Sequence, residues 1–236
     1  MDATLANLER LVESGRSNQV ATVNIDFVVR AQRDPWLKAI LNRTAMNLVD
    51  GTPLVWALRT LGHPVPERVA GSDLIPRLLG RIAPTRHSVY LLGGTPSVAK
   101  AAVQRIRARY PGLQMAGVDT PPSRPVEGID AETVGRIRRA RPSLLLVAFG
   151  NPKQEFWLDL HLAETEVPLA LGIGGTVDFL AGRRRRAPRW MQRCGLEWTV
   201  RLAQEPARLG PRYLRDSVGF ARLLMRHHLA PGGLHG

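Results

Sequence analysis

SVYLLGGTPSVAKAAVQRIRARY, residues Ser88–Tyr110, is the stretch that decides the fold. Ser88–Leu92 is a short apolar run of strand length, and Gly93-Gly94 breaks it. Pro96 then opens a helical stretch that reaches Tyr110. A buried-type strand, a glycine turn and a helix with proline in its first turn make half of a β-α-β unit. The same grammar recurs on both sides. Upstream, Gln19–Val23 and Met46–Val49 predict strands, with helices over Phe27–Leu41 and Pro53–Leu61. Downstream, Leu113–Val118, Ser143–Phe149 and Leu169–Ile173 predict strands, with helices over Ala131–Ala140 and Lys153–Glu164. Thr120–Gly128, with Pro121, Pro122 and Pro125, reads as a loop. Short apolar strands alternating with helices predict an α/β fold, a mostly parallel Rossmann-like sheet with helices on both faces.

The character changes after Gly182. Arg183–Arg186 is a basic run, no further strand is predicted, and Arg189–Gln204 reads as helical. Pro206 and Pro211 are expected to interrupt that helix, which resumes over Arg212–Leu229. On an ideal helix Leu214, Val218, Ala221, Met225 and His228 share one face, flanked by Arg212, Arg215, Arg222 and Arg226. Residues 1–186 are therefore expected to form the α/β domain, and 187–236 a C-terminal helical appendage.

The composition limits the partners. The chain has 236 residues and a formal charge of +13. Such a charge favours nucleic acid, anionic lipid or a phosphorylated substrate. Lys38, Lys100 and Lys153 are the only lysines, so arginine carries the charge. Arginine forks onto phosphate where lysine cannot, although a genomic base bias would give the same excess. Cys194 is the only cysteine, which rules out an internal disulfide. Met1–Arg16 reads as an amphipathic helix rather than a signal peptide, and no apolar run is long enough to span a bilayer. The expected location is cytosolic, or on a membrane rather than in one.

Three strand ends run into glycine: Gly93-Gly94, Gly150-Asn151-Pro152 and Gly172-Ile173-Gly174-Gly175. In an open parallel sheet these turns collect at the carboxyl edge, where ligands bind. Bare amides at helix starts favour anions, and glycine lets a phosphate approach. Each turn alone reads more simply as a chain reversal, but three on one edge favour a ligand. Asp50, Asp73, Glu155 and Asp178 lie beside such turns and are acid/base candidates. Ser72-Asp73 reads more simply as a helix cap. The sequence contains neither a metal-ligand cluster nor an Asp-x-Asp pair. Neutralising a departing diphosphate would then fall to arginines.

Together these stretches resemble the WecG/TagA/CpsF family of glycosyltransferases. The resemblance rests on Thr22-Val23-Asn24, Val49-Asp50-Gly51, Glu67–Leu74, Leu91–Gly94 and Gly150–Glu155. It continues through Gly174–Phe179, Arg186–Trp190, Leu196-Glu197-Trp198 and Arg201-Leu202. It implies inverting transfer of a sugar from a UDP-sugar to a polyprenyl-diphosphate-linked sugar, in cell-surface polysaccharide or exopolysaccharide synthesis. It implies Asp50 as base, with Thr22 and Gln154 also catalytic. Asn24, Gly93, Gly94, Gly174, Gly175, Arg201, Arg208 and Arg212 are the expected donor and diphosphate contacts. Pro211 stands where many members carry a further arginine. Thr120-Pro121-Pro122 looks like the exopolysaccharide subset, and points to a glucose-type or hexosamine donor. No cofactor or metal is implied. The appendage is expected to meet the inner face of the cytoplasmic membrane and complete the site; a homo-oligomer is left open. The rival readings are a nucleotide-cofactor oxidoreductase and a basic nucleic-acid-binding protein. The first lacks a G-x-G-x-x-G followed by an acidic residue, and the second lacks a basic stripe with interleaved aromatics.

Overall fold

The computed structural model describes residues 1–122 and 131–229. Six strands, β1 (Asn18–Val23), β2 (Met46–Val49), β3 (Ser88–Gly93), β4 (Gln114–Asp119), β5 (Leu144–Ala148) and β6 (Leu169–Gly172), form one sheet. Its order is β2-β1-β6-β5-β3-β4, and every pairing is parallel. Alternate side chains go to opposite faces, as a pleated strand requires. Val89, Leu91, Leu144 and Leu146 pack with α1 (Asp2–Glu13), α5 (Gly71–Ile82), α6 (Pro96–Arg109) and α9 (Thr176–Leu180). Tyr90, Leu92, Leu145 and Val147 pack with α7 (Ala131–Ala140) and α8 (Lys153–Thr165). With both faces covered, the strands need no polar alternation, which is why they read as apolar runs.

The expected helix over Phe27–Leu41 is two helices, α2 (Ile25–Ala31) and α3 (Pro35–Arg43). Asp34 causes the break: it caps α3 by accepting from the Leu37 amide at 3.0 Å, and Pro35 follows in the first turn. Thr120 to Pro122 form no helix or strand, and the rest of the expected loop lies outside the described residues.

The tail also differs from expectation. Arg189–Gln204 splits into α10 (Arg189–Arg193) and α11 (Glu197–Gln204), with Gly195 at positive φ between them. Neither Pro206 nor Pro211 interrupts the last helix. α12 runs from Pro206 to Leu229: Pro206 opens it, and Pro211 forfeits one intrahelical bond near its start. α12 lies on α2 and on α4 (Thr52–Thr60), where Phe220, Leu223 and Leu224 pack with Val29, Leu54 and Ala57. The approach is close, since a Cβ on Gly219 would come within 2.7 Å of Val29 Cγ1. The face of Leu214, Val218, Ala221 and Met225 points away from this contact and is exposed. Its expected basic flank divides: Arg222 and Arg226 are exposed, whereas Arg212 approaches Asp216 on its own helix and Arg215 reaches Asp26 on α2.

Candidate active site

The carboxyl ends of the strands carry the site. Gly93 has a φ of +99°, and a Cβ there would meet Phe149 Cδ1 at 2.8 Å. No other residue would turn β3 into α6 so tightly. Thr95 caps α6 by accepting from the Val98 amide. Beside it, Gln154 at the start of α8 is almost wholly buried. Its Oε1 accepts from the Gly174 amide at 2.9 Å, and its Nε2 donates to Glu155 Oε1 at 2.8 Å. Gln154 therefore fixes the Gly174-Gly175 turn from behind.

A cavity of about 920 Å³ opens over this edge. Its lining includes Thr22, Asn24, Asp50, Gly93, Gly94, Gln154, Gly174, Gly175, Arg201, Arg208 and Arg212, so every residue that the family resemblance singles out meets in one place. A second, more apolar cavity of about 550 Å³ runs from Gly51 and Pro53 past Trp198 and Leu202 to Leu214. The two share Asn24, Asp26, Asp50, Arg201, Arg212 and Tyr213. Asp50 thus stands on the seam. Burial pushes its pKa up, and Arg201 and then Arg68 pull against that shift. A carboxylate so raised is a better proton acceptor than a free one.

Asn24 also has a local duty, capping α2 by accepting from the Phe27 amide. Ser72 and Asp73 are not caps, because α5 starts at Gly71 and both fall within its first turn. They hold Arg186 instead, at 2.6 Å to Ser72 Oγ and 2.9 Å to Asp73 Oδ1. Glu155 is buried outside the cavity lining, where burial pushes its pKa up to about 8. Its carboxyl steadies Gln154 rather than facing a substrate. Asp178 does line the cavity but pairs with Arg184 at 3.5 Å.

The arginines are aimed by acids that stand three or four residues away on the same helices or their flanks. Glu197 on α11 is buried and bridges Arg186 at 3.1 Å, Arg68 at 3.2 Å and Arg201 at 3.4 Å. Arg201 and Arg186 both lie over the Phe179 ring, at 5.6 and 5.9 Å from its centroid. Arg208 pairs with Glu205, and Arg212 approaches Asp216 at 3.9 Å. The Nε atoms of Arg201 and Arg212 are buried and have no acceptor among the described residues.

Asp26 is another residue that sequence reasoning misses. It accepts from Arg30 Nε at 2.8 Å and from Asn151 Nδ2 at 2.8 Å, and lies 3.5 Å from Arg215. It thereby joins the Gly150-Asn151 turn to α12. Burial first, and then Asp26, pushes the neighbouring Asp216 carboxyl up. Glu197 and Arg68 sit inside the family motifs, so those motifs hold a findable signal. Asp26 has none for its place beside Asp216, because only the docking of α12 on α2 brings the two together. No group of three His, Cys, Asp or Glu side chains placed to hold a metal ion occurs among the described residues. No helix there is long and apolar enough to cross a membrane.

The glycosyl transferase WecG/TagA/CpsF family profile matches residues 1–232. The chain belongs to this family. As a family member it is a glycosyltransferase, which gives the paired cavities a class of chemistry. It is 29% identical over 219 residues to a Bacillus spizizenii (strain W23) protein, covering 92% of this chain and 82% of the relative. It is 30% identical over 192 residues to one from Staphylococcus aureus (strain MW2), covering 81% and 74%. Each relative is named an N-acetylglucosaminyldiphosphoundecaprenol N-acetyl-beta-D-mannosaminyltransferase.

Proposed function

We propose that this glycosyltransferase moves a sugar from a UDP-sugar onto a sugar carried by polyprenyl diphosphate, at the inner face of the cytoplasmic membrane. The observation that carries the reading is the place of Asp50, on the seam of a glycine- and arginine-lined cavity and an apolar one. The donor takes the polar cavity, with its diphosphate between the glycine turns and Arg201, Arg208 and Arg212. The acceptor enters from the apolar side, past Trp198 and Leu214. Its hydroxyl oxygen bonds to the anomeric carbon while that carbon's bond to the phosphate oxygen breaks. The electron pair leaves on the diphosphate, and the hydroxyl proton passes to Asp50. Attack opposite the leaving group inverts the anomeric centre. Thr22 lines the donor side, and Gln154 acts there by holding the Gly174 turn.

Charge builds on the departing diphosphate, and the buried arginine donors supply fixed positive charge where it builds. We propose that they do this without a metal ion. The relatives' names favour an N-acetylmannosamine donor and an N-acetylglucosamine-bearing acceptor. Thr120-Pro121-Pro122 alone supports a glucose-type donor and an exopolysaccharide setting. The tail, residues 187–236, serves as the membrane-facing part of the site.

Purified protein assayed with a panel of UDP-sugars and a short polyprenyl-diphosphate-N-acetylglucosamine acceptor tests the reading. Transfer of N-acetylmannosamine that persists in EDTA is expected. Failure of every UDP-sugar would refute the donor class. Loss of turnover in EDTA, restored by Mg²⁺ or Mn²⁺, would refute neutralisation by arginine alone.

A further inference from the structure

We propose that Arg184, on the core side of the cavity, is a further diphosphate-binding residue, anchored by Asp178 and tied to the tail through Glu205. This rests on the donor reading above, because it names another group for the donor's phosphates. Arg184 lines the larger cavity and lies outside the tail that supplies Arg201, Arg208 and Arg212. Both of its acidic partners engage one corner of the guanidinium: Asp178 Oδ2 at 3.5 Å from NH2, and Glu205 Oε1 on the same nitrogen. The opposite corner, NH1, lies over the Gly174-Gly175 turn, 3.5 Å from where a Cβ on Gly175 would stand. A guanidinium is a planar fork with five donors, so one edge can be anchored while the other faces a ligand.

Glu205 is the second half of the argument. Its Oε2 accepts from Arg208 Nε while its Oε1 holds Arg184. One carboxylate thus bridges two arginines that line the cavity from opposite sides, one from the core and one from α12. A carboxylate between two guanidiniums has the geometry that arginines offer to phosphate oxygens. Asp178 keeps its own hold on Arg184, so the anchor does not depend on the charge of Glu205. The space over Gly174-Gly175 therefore has a glycine floor and an arginine edge, and Gln154 fixes the floor through the Gly174 amide.

Calorimetric titration of the full chain with inorganic pyrophosphate, UDP and uridine tests this. Arg184→Ala is expected to weaken pyrophosphate and UDP about tenfold, the usual worth of a charged hydrogen bond, and to leave uridine unchanged. Arg185→Ala, whose side chain is exposed next door, should bind within about twofold of wild type, a change below the worth of one such bond. Glu205→Gln separates contact from scaffolding. It breaks the charged tie between Arg184 and the tail but spares the guanidinium, so it should bind pyrophosphate at least as tightly as wild type. The proposal is overturned if Arg184→Ala binds normally, or if Glu205→Gln loses as much as Arg184→Ala. Should wild type bind pyrophosphate through Arg184 yet gain nothing from the uridine of UDP, the UDP-donor reading fails and the Arg184 assignment stands. If wild type binds neither anion, both fall.

Discussion

Two walls face each other across the larger cavity. The sheet wall is made of Gly93, Gly94, Gly174 and Gly175, fixed by backbone geometry and by Gln154, whose two bonds go to Gly174 and Glu155. The tail wall is made of Arg201, Arg208 and Arg212, and acids aim all three: Glu197, Glu205 and Asp216. Its anchor to the core is the cluster of Glu197 with Arg68 and Arg186, together with the apolar seat of Phe220 on Val29 and Leu54. The first wall is complete once the strands pair. The second needs a 24-residue helix to dock and several charges to be matched after burial. A turn held by backbone amides resists single changes, whereas a wall docked through a buried acid such as Glu197 is weakened when that acid is removed.

The largest expected effect falls where the walls meet. Asp50→Asn keeps the shape of the seam and removes the proposed base. Turnover should drop on the order of a hundred- to ten-thousand-fold, with an unchanged melting temperature. A variant that keeps more than about a tenth of the wild-type rate would show that another group takes the proton. Next is Glu197→Ala, which leaves three arginines without their shared acid. Removing one partner of a buried ion cluster costs about 3–5 kcal/mol. That loss should be confined to the tail, so hydrogen exchange should accelerate in α10, α11 and α12 while the strands stay protected. Equal loss of protection in the sheet would mean that the two walls are one cooperative unit.

A smaller effect tests the sheet wall. Glu155 has a folded pKa near 8 against an ordinary value of 4.5. Burial disfavours its charged form, so between those values the folded chain holds a proton that the unfolded chain has released. The contribution of Glu155 to stability should therefore fall as pH rises from about 4.5 to about 8 and change no further above that. Glu155→Gln can still accept from Gln154 and has no charge to bury. The difference in melting temperature between wild type and variant should grow in the variant's favour across that window. A constant difference from pH 5 to pH 8 would mean that Glu155 is ionised throughout.

The contrast between the walls also explains what is legible in the sequence. Strand ends, glycine turns and the helix starts at Pro96 and Lys153 are local patterns, and the sheet they predict is the sheet observed. Asp50, Gln154 and the glycines converge because parallel topology leaves their strand ends no other edge to share. The tail is legible as helix and as charge, but its breaks fall elsewhere than predicted. Two prolines read as stops, yet Pro206 suits a first turn and Pro211 costs only one bond. Arg215 reads as part of a solvated flank because one of its acids, Asp26, comes within reach only after α12 docks on α2. Ser72-Asp73 looks like a cap because the distant Arg186 that claims both side chains leaves no mark in local sequence.

The smallest expected effect concerns the outer side of the tail wall. α12 buries one apolar face on the core, yet Leu214, Val218 and Met225 on its other side are 70%, 43% and 55% exposed. Trp198, 46% exposed, borders the same cavity mouth as Leu214. Arg222 and Arg226 flank this face in solvent, which is the pattern of a helix that lies in a membrane interface. Each arginine near an anionic surface contributes roughly 1 kcal/mol, and salt screens that contribution. Arg222→Gln and Arg226→Gln should thus each weaken flotation with anionic vesicles about fivefold at low salt. Neither residue lines either cavity, so turnover on a water-soluble, short-chain acceptor should not change. Together they should lose more than either alone, and the loss should shrink as salt rises, whereas Leu214→Ser should weaken binding at every salt concentration. If wild type does not float with anionic vesicles at low salt, or if both arginine variants float as wild type does, α12 does not meet the membrane through this face. The acceptor's lipid would then have to reach Asp50 by a route other than past Trp198 and Leu214.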